Sequence, residues 1–211
     1  MVVLYLHGFA SSAKSSKAAF FAAKLKDRGV AFDAPDLNAP DFSTLTVTRM
    51  LEVAGAAIDR SKGGVALVGS SLGGFVAVQA ALQRPARVER LVLLAPALHF
   101  GGNPMKELGE DGLRRWRETN RLDVFHYGYG RVVPVHYELY EDAHRYDSLG
   151  APLTLPVQVF QGRRDTAVDP ETVDRWASAR PNVELHMLDD DHQLLGSLDY
   201  IWREMDRFLG V

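Results

Sequence analysis

The sequence predicts an α/β fold in which about six mainly parallel strands carry helices on both faces. Short apolar runs alternate with longer amphipathic stretches along most of the chain. Runs such as Val2–Leu6 and Val88–Leu94 are dominated by apolar residues without strict alternation, as expected for strands buried on both faces. Glycine or proline punctuates the ends of many of these runs. Strands separated by helices of this length imply parallel crossover connections.

Val2–Leu6 reads as the first strand and ends at His7-Gly8. From about Lys17 to Arg28 a helix carries Phe20, Phe21, Ala23 and Leu25 among lysines, and Gly29 stops it. Ala31–Ala34 is a short strand closed by Pro35-Asp36. Thr44 to Arg60 reads as a helix with Leu45, Met50, Leu51, Ala54 and Ile58 as its apolar stripe. Val65–Val68 is a strand breaking at Gly69, Leu72–Gln83 a helix of small residues stopped before Pro85, and Val88–Leu94 another strand. Between about Pro96 and Pro156 the rhythm lapses into a polar and aromatic stretch without clean strand spacing, the expected form of an insertion in one domain. The rhythm then resumes with strand Val157–Gln161, helix Pro170–Ala179, strand Val183–Leu188 and helix Leu194–Leu209.

The chain has 211 residues, so one domain with a modest insertion is expected. Lys plus Arg is 24 against 27 Asp plus Glu, a formal net charge of −3 that gives no electrostatic reason to expect nucleic acid as a partner. With no cysteine there is no disulfide framework, no thiolate metal site and no cysteine nucleophile. The N-terminus lacks the pattern of a signal peptide, and no apolar run approaches the ~20 residues of a membrane span. A cytoplasmic protein is therefore the expectation.

Active sites of open parallel sheets lie beyond the carboxyl ends of the strands. After the Val65–Val68 strand comes Gly69-Ser70-Ser71-Leu72-Gly73, a G-x-S-x-G. A strand that turns sharply into a helix lifts the central hydroxyl clear, and side chains two residues to either side collide, hence the glycines. The register selects Ser71, because Ser70 is flanked at that spacing by Val68 and Leu72. A serine hydroxyl needs a base. His192 follows the last strand, in Asp189-Asp190-Asp191-His192-Gln193-Leu194. The run of acids admits a metal reading, but no second histidine stands at ligand spacing, so no metal and no cofactor are expected. Two aspartates follow the Val157–Gln161 strand. Asp169, before Pro170, is explained as a helix N-cap; Asp165 lies nearer the strand end and is expected to orient the imidazole. Two backbone N–H groups are expected to form the oxyanion hole. One is that of Leu72 at the helix N-terminus. The other is that of Phe9 in the glycine-bearing loop His7-Gly8-Phe9-Ala10-Ser11-Ser12, with Ala10 second. His7 is expected to shape that loop by hydrogen bonding. Arg114-Arg115-Trp116-Arg117 reads as a solvated helix face.

Over nearly its whole length the sequence resembles the α/β-hydrolase superfamily, and most of all its small bacterial esterase-like members. The chain order Ser71, Asp165, His192, with the H-G loop first, is the superfamily's order. His7-Gly8-Phe9 followed by Ser11-Ser12 and Ser15-Ser16-Lys17, the G-x-x-D-x-x-V at Gly162, Asp165 and Val168, and Asp191-His192 with Leu194 match as well. Larger members carry two extra strands before the H-G strand. Here there is no room for them, so a reduced sheet is expected. The resemblance implies that the stretch at about 98–155 is a cap over the site, with aromatics there as cap core or pocket lining.

The expectation is a cofactor-free serine hydrolase whose substrate is a small-molecule carboxylic ester or thioester. Peptidase, C–C hydrolase and acyl-transfer chemistry use the same triad, and a non-catalytic binding protein on this fold is the rival from another class.

Overall fold

A computed structural model describes residues 1–102, 105 and 108–211. Eight strands and seven helices are described: β1 (Val2–Leu6), α1 (Ser16–Asp27), β2 (Ala31–Asp33), α2 (Val47–Arg60), β3 (Val65–Ser70), α3 (Leu72–Gln83), β4 (Val88–Leu94), α4 (Gly109–Thr119), β5 (Leu122–His126), β6 (Arg131–Val135), α5 (Glu138–Ala143), β7 (Val157–Gly162), α6 (Pro170–Ser178), β8 (Val183–Leu188) and α7 (Leu198–Leu209). Six strands form one sheet in the order β2-β1-β3-β4-β7-β8. Every pairing in it is parallel, so the expected six-stranded sheet is present.

The continuous apolar runs serve two cores at once. In β1, Leu4 and Leu6 face one side while Val3 and Tyr5 face the other; in β3 the split is Val65 and Leu67 against Ala66 and Val68. Helices α2, α3 and α6 cover the first face, through residues such as Ala54, Phe75 and Trp176. Helices α1 and α7 cover the second, through Phe21, Leu25, Ile201 and Met205. Fully burying one such large apolar side chain contributes about 1.5–3 kcal/mol, so both faces are needed to hold the sheet.

Two helix starts differ most from the sequence reading. A 3-10 turn at Phe42–Thr44 precedes α2, which starts only at Val47 because the Thr46 side chain caps it by accepting the Arg49 N–H at 3.1 Å. The last helix starts at Leu198, because Leu194 is buried with φ of 56° and turns the chain through a 3-10 turn first. The inserted stretch also holds regular structure that the sequence did not reveal. Strands β5 and β6 pair antiparallel as a separate hairpin, with α4 before it and α5 after it. Two hydrogen bonds pin α5 to α2, from the Thr48 N–H to Asp142 Oδ2 at 2.6 Å and from the Thr48 hydroxyl to Asp142 Oδ1 at 2.7 Å.

The arginine-rich stretch on α4 is only in part a solvated face. Arg114, Arg115 and Arg117 are exposed, but Trp116 is buried and its indole N–H donates to the Val135 carbonyl at 2.9 Å. An indole carries a large apolar body with one donor, and both are satisfied under the hairpin.

Candidate active site

The backbone at Ser71 has φ of 53° and ψ of −118°, a conformation that L-residues rarely adopt. Packing of the surrounding backbone holds it there. A Cβ on Gly73 would lie 2.0 Å from the Leu6 carbonyl oxygen, and one on Gly69 would lie 2.5 Å from the Gly73 carbonyl oxygen. Glycine is therefore required on both sides of the serine for steric reasons. The turn lifts the Ser71 hydroxyl off the sheet at the carboxyl end of β3, while Ser70, one residue earlier, is buried.

His192 comes from the loop after β8. Its Nε2 lies 3.1 Å from Ser71 Oγ and its Nδ1 lies 2.8 Å from Asp165 Oδ2. An ionised carboxylate only accepts, so the proton sits on Nδ1 and Nε2 is free to accept from the serine hydroxyl. Asp165 is buried beside them, in the loop after β7. Its Oδ1 accepts the Ala167 and Val168 N–H groups at 2.9 and 2.8 Å, and Oδ2 also accepts Gln161 Nε2 at 2.9 Å. Burial works to raise the Asp165 carboxyl, but the bonds from His192, the Val168 N–H and Gln161 outweigh it and hold the group below its ordinary value. The loops carrying the acid and the imidazole touch at Gly162, where a Cβ would lie 2.5 Å from the Asp191 carbonyl oxygen.

The structure thus brings Ser71, Asp165 and His192 into one hydrogen-bonded chain. Asp169 is elsewhere: it caps α6, accepting the Glu171 N–H at 3.2 Å and the Thr172 hydroxyl at 2.6 Å. Leu72 opens α3, so its N–H has no partner within the helix. Gly8 packs directly on the turn at Ser71, where a Cβ would lie 3.2 Å from Ser71 Cβ; Phe9 is the next residue. His7 shapes that loop, donating from Nδ1 to the Gly8 carbonyl at 3.0 Å and accepting the Leu37 N–H on Nε2 at 3.0 Å.

Ser71 and His192 open onto a cavity of about 1260 Å³. Phe9, Phe100, Leu108, Val124, Phe125 and Tyr129 give it an apolar side, while Ser12, Ser15, Lys14 and Lys17 line a polar one. The hairpin joins the loop after β1 through the Tyr127 N–H, which donates to the Ala10 carbonyl at 2.9 Å. Sequence reasoning did not find Gln161 or the hairpin wall; a glutamine ending an apolar strand was the available signal for the first.

The carboxylates around His192 are already engaged. Asp189 pairs with Arg164; Asp190 accepts the Asp191 N–H and the Ser197 hydroxyl; Asp191 accepts the Gln193 N–H. Among the described residues, the acidic and histidine side chains spaced to share a cation are Glu184, His186 and Glu204. They already satisfy one another and their neighbours, with Glu184 on His186 at 2.8 Å and Arg207 on Glu204 at 3.0 Å.

A parallel sheet of this order, with its candidate site at the strand ends and a sharp, strained turn at Ser71 between β3 and α3, defines an α/β hydrolase by fold. Mouse alpha/beta hydrolase domain-containing protein 10 is similar at 22% identity and a TM-score of 0.82, covering 99% of this chain and 89% of that one. Est1E from Butyrivibrio proteoclasticus, solved with ferulic acid bound, is similar at 18% identity and a TM-score of 0.83, with 99% and 87% covered. The monoacylglycerol lipase of Paleococcus ferrophilus follows at 17% and 0.75, with 98% and 93% covered. The chain belongs to the family described as "Uncharacterised protein family (UPF0227)", which matches residues 2–209. No curated protein sequence matches it significantly. Among the described residues, no helix is long and apolar enough to cross a membrane.

Proposed function

We propose that the protein is a serine hydrolase that cleaves carboxylic esters or thioesters through an acyl-enzyme. The observation that carries this reading is the unbroken chain from Asp165 through His192 to the strained Ser71. Ser71 Oγ attacks the acyl carbon as His192 Nε2 takes its proton, and the imidazolium then protonates the leaving alcohol or thiol. Water deacylates the serine by the same path. Asp165 keeps Nδ1 protonated and stabilises the imidazolium. The Leu72 and Phe9 N–H groups hold the developing oxyanion; the free helix N-terminus supports the first, and the packing of Gly8 on Ser71 supports the second.

The inserted segment, about 98–155, acts as a cap, and its apolar wall takes the acyl group. A neighbour solved with ferulic acid and another named a monoacylglycerol lipase agree with ester chemistry on this fold. The test is labelling with a fluorophosphonate, followed by a panel of nitrophenyl esters, acyl-CoA thioesters and aminopeptidase substrates. Label on wild type and Ser70→Ala but not on Ser71→Ala is expected, with turnover of esters or thioesters. A wild-type protein that takes no label overturns the reading.

A further inference from the structure

One charged group beside the site has no part in the mechanism above. Lys17 sits in the first turn of α1, is 9% exposed, and lines the same cavity as His192. Its Nζ donates to the carbonyl of Gln193, the residue after His192, at 3.0 Å. Its placement opposes folding in two ways. A buried ammonium loses its hydration, and the first turn of a helix is the positive end of the macrodipole. No acidic residue occupies that turn to offset it. Burial pulls the Lys17 amine down to about 8, with Asp165, Asp191 and Asp190 pulling it back up. A group held in an unfavourable place within a cleft, among groups that carry chemistry, is a candidate for function.

The charged surroundings of the imidazole indicate what it does. Asp165 faces it from the loop after β7, and Asp190 and Asp191 belong to its own loop after β8. The Tyr5 phenol on β1 lines the cavity too, but burial pushes it up to about 12, so it stays neutral. Lys14 lines the polar side of the cavity from the loop before α1, and Arg164 is paired with Asp189 on the surface. Asp165 bonds the ring directly, and Asp190 and Asp191 precede it in the same loop; a carboxylate beside an imidazole stabilises its cation, a form that cannot act as a base. Lys17 is a cation within electrostatic reach of all three carboxylates.

We propose that Lys17 is a positioning residue for the triad: its ammonium ties down the chain after His192 through the Gln193 carbonyl and offsets the three carboxylates, so that the imidazole stays free to accept the Ser71 proton. The proposal rests on the serine-hydrolase reading. It is tested by the pH dependence of kcat/KM for nitrophenyl acetate in wild type, Lys17→Met and Lys17→Arg, with melting temperatures alongside. In Lys17→Met the acid limb is expected to move up by about one pH unit. At pH 7, kcat is expected to fall about threefold while KM stays within about twofold. Lys17→Arg, which keeps the charge, is expected to hold the limb near its wild-type position.

An unmoved limb in Lys17→Met overturns the proposal, as does a moved limb in Lys17→Arg. Where Lys17→Met does not fold, Lys17→Arg and Asp191→Asn carry the test. Asp191→Asn removes one of the offset carboxylates and is expected to move the limb down; a limb that stays put or rises overturns the proposal. Fluorophosphonate separates the two readings. An unlabelled wild type ends both, whereas a labelled wild type whose limb ignores Lys17→Met ends only this one.

Discussion

At the scale of single residues, the two aspartates after β7 are expected to part company. In Asp165→Asn the amide oxygen is expected to keep the Ala167 and Val168 N–H groups, which turns the NH2 toward His192 Nδ1 and favours the wrong tautomer, so turnover is expected to fall by roughly 10⁴. The new amide also sets a donor against Gln161 Nε2, which donates to Oδ2 at 2.9 Å. A cost of about 1–3 kcal/mol in stability is expected with the lost activity. Asp169→Asn keeps an oxygen for the α6 N-cap and is expected to leave both unchanged, while Asp169→Ala is expected to cost ~1 kcal/mol without touching turnover. Denaturant melts and ester assays on the three variants check this; an inactive Asp169→Asn beside an active Asp165→Asn would move the acid. Ser71, His192 and Asp165 were legible in the sequence because a strand end is a visible place and each follows a different strand. Gln161 was hidden because it sits inside the strand pattern, where polarity alone does not say which way a side chain points.

At the scale of elements, the turn at Ser71 leaves no freedom. A methyl group on Gly73 would meet the Leu6 carbonyl at 2.0 Å, and the obstacle is backbone that cannot rotate away. Gly73→Ala is expected to cost at least ~3 kcal/mol or to prevent folding, read as a drop in the denaturant midpoint. The hairpin packs against the loop after β1. A Cβ on Gly128 would lie 2.7 Å from the Ser12 side chain. Gly128→Ala is expected to lower kcat/KM with little change in melting temperature, and a wild-type kcat/KM would show that this contact does not shape the site. The sheet strands were readable because burial on both faces leaves an apolar run. The hairpin was not, because β5 alternates Leu122, Val124 and His126 with the exposed Asp123 and Phe125. An exposed phenylalanine masks the period of two on which a half-buried strand is recognised.

At the scale of the whole molecule, the site sets part of the pH dependence of folding. The Asp165 carboxyl is lower in the folded protein than in the unfolded chain. Its contribution is therefore complete above the ordinary carboxylate range and is lost as pH falls through the lowered folded value. Lys17 acts at the other end. Its folded value of about 8 lies below the ordinary 10.5, so the unfolded chain binds the extra proton between them and stability is expected to rise with pH across that interval. Melting temperatures from pH 3 to pH 10.5, compared with Asp165→Asn and Lys17→Met, separate the two contributions, and a Lys17→Met profile that keeps the alkaline rise would exclude the second. A chelator is expected to leave ester turnover unchanged, since the proposed mechanism takes its nucleophile and base from Ser71 and His192. Loss of activity restored by zinc or manganese would contradict this.

The bond from the Tyr127 amide to the Ala10 carbonyl spans two segments that are far apart along the chain. On one side is the wall of the cavity; on the other is the loop that carries Phe9. Parting the wall from the loop exposes that amide to solvent deuterium, so at a pH high enough for every opening to end in exchange, its rate is a clock for how often the two separate. Exchange faster than turnover would mean that substrate can enter as they part and that the loop is reset in every cycle. Exchange slower than turnover would mean that substrate passes through an entrance already open, and that the wall and the loop stay joined from one cycle to the next.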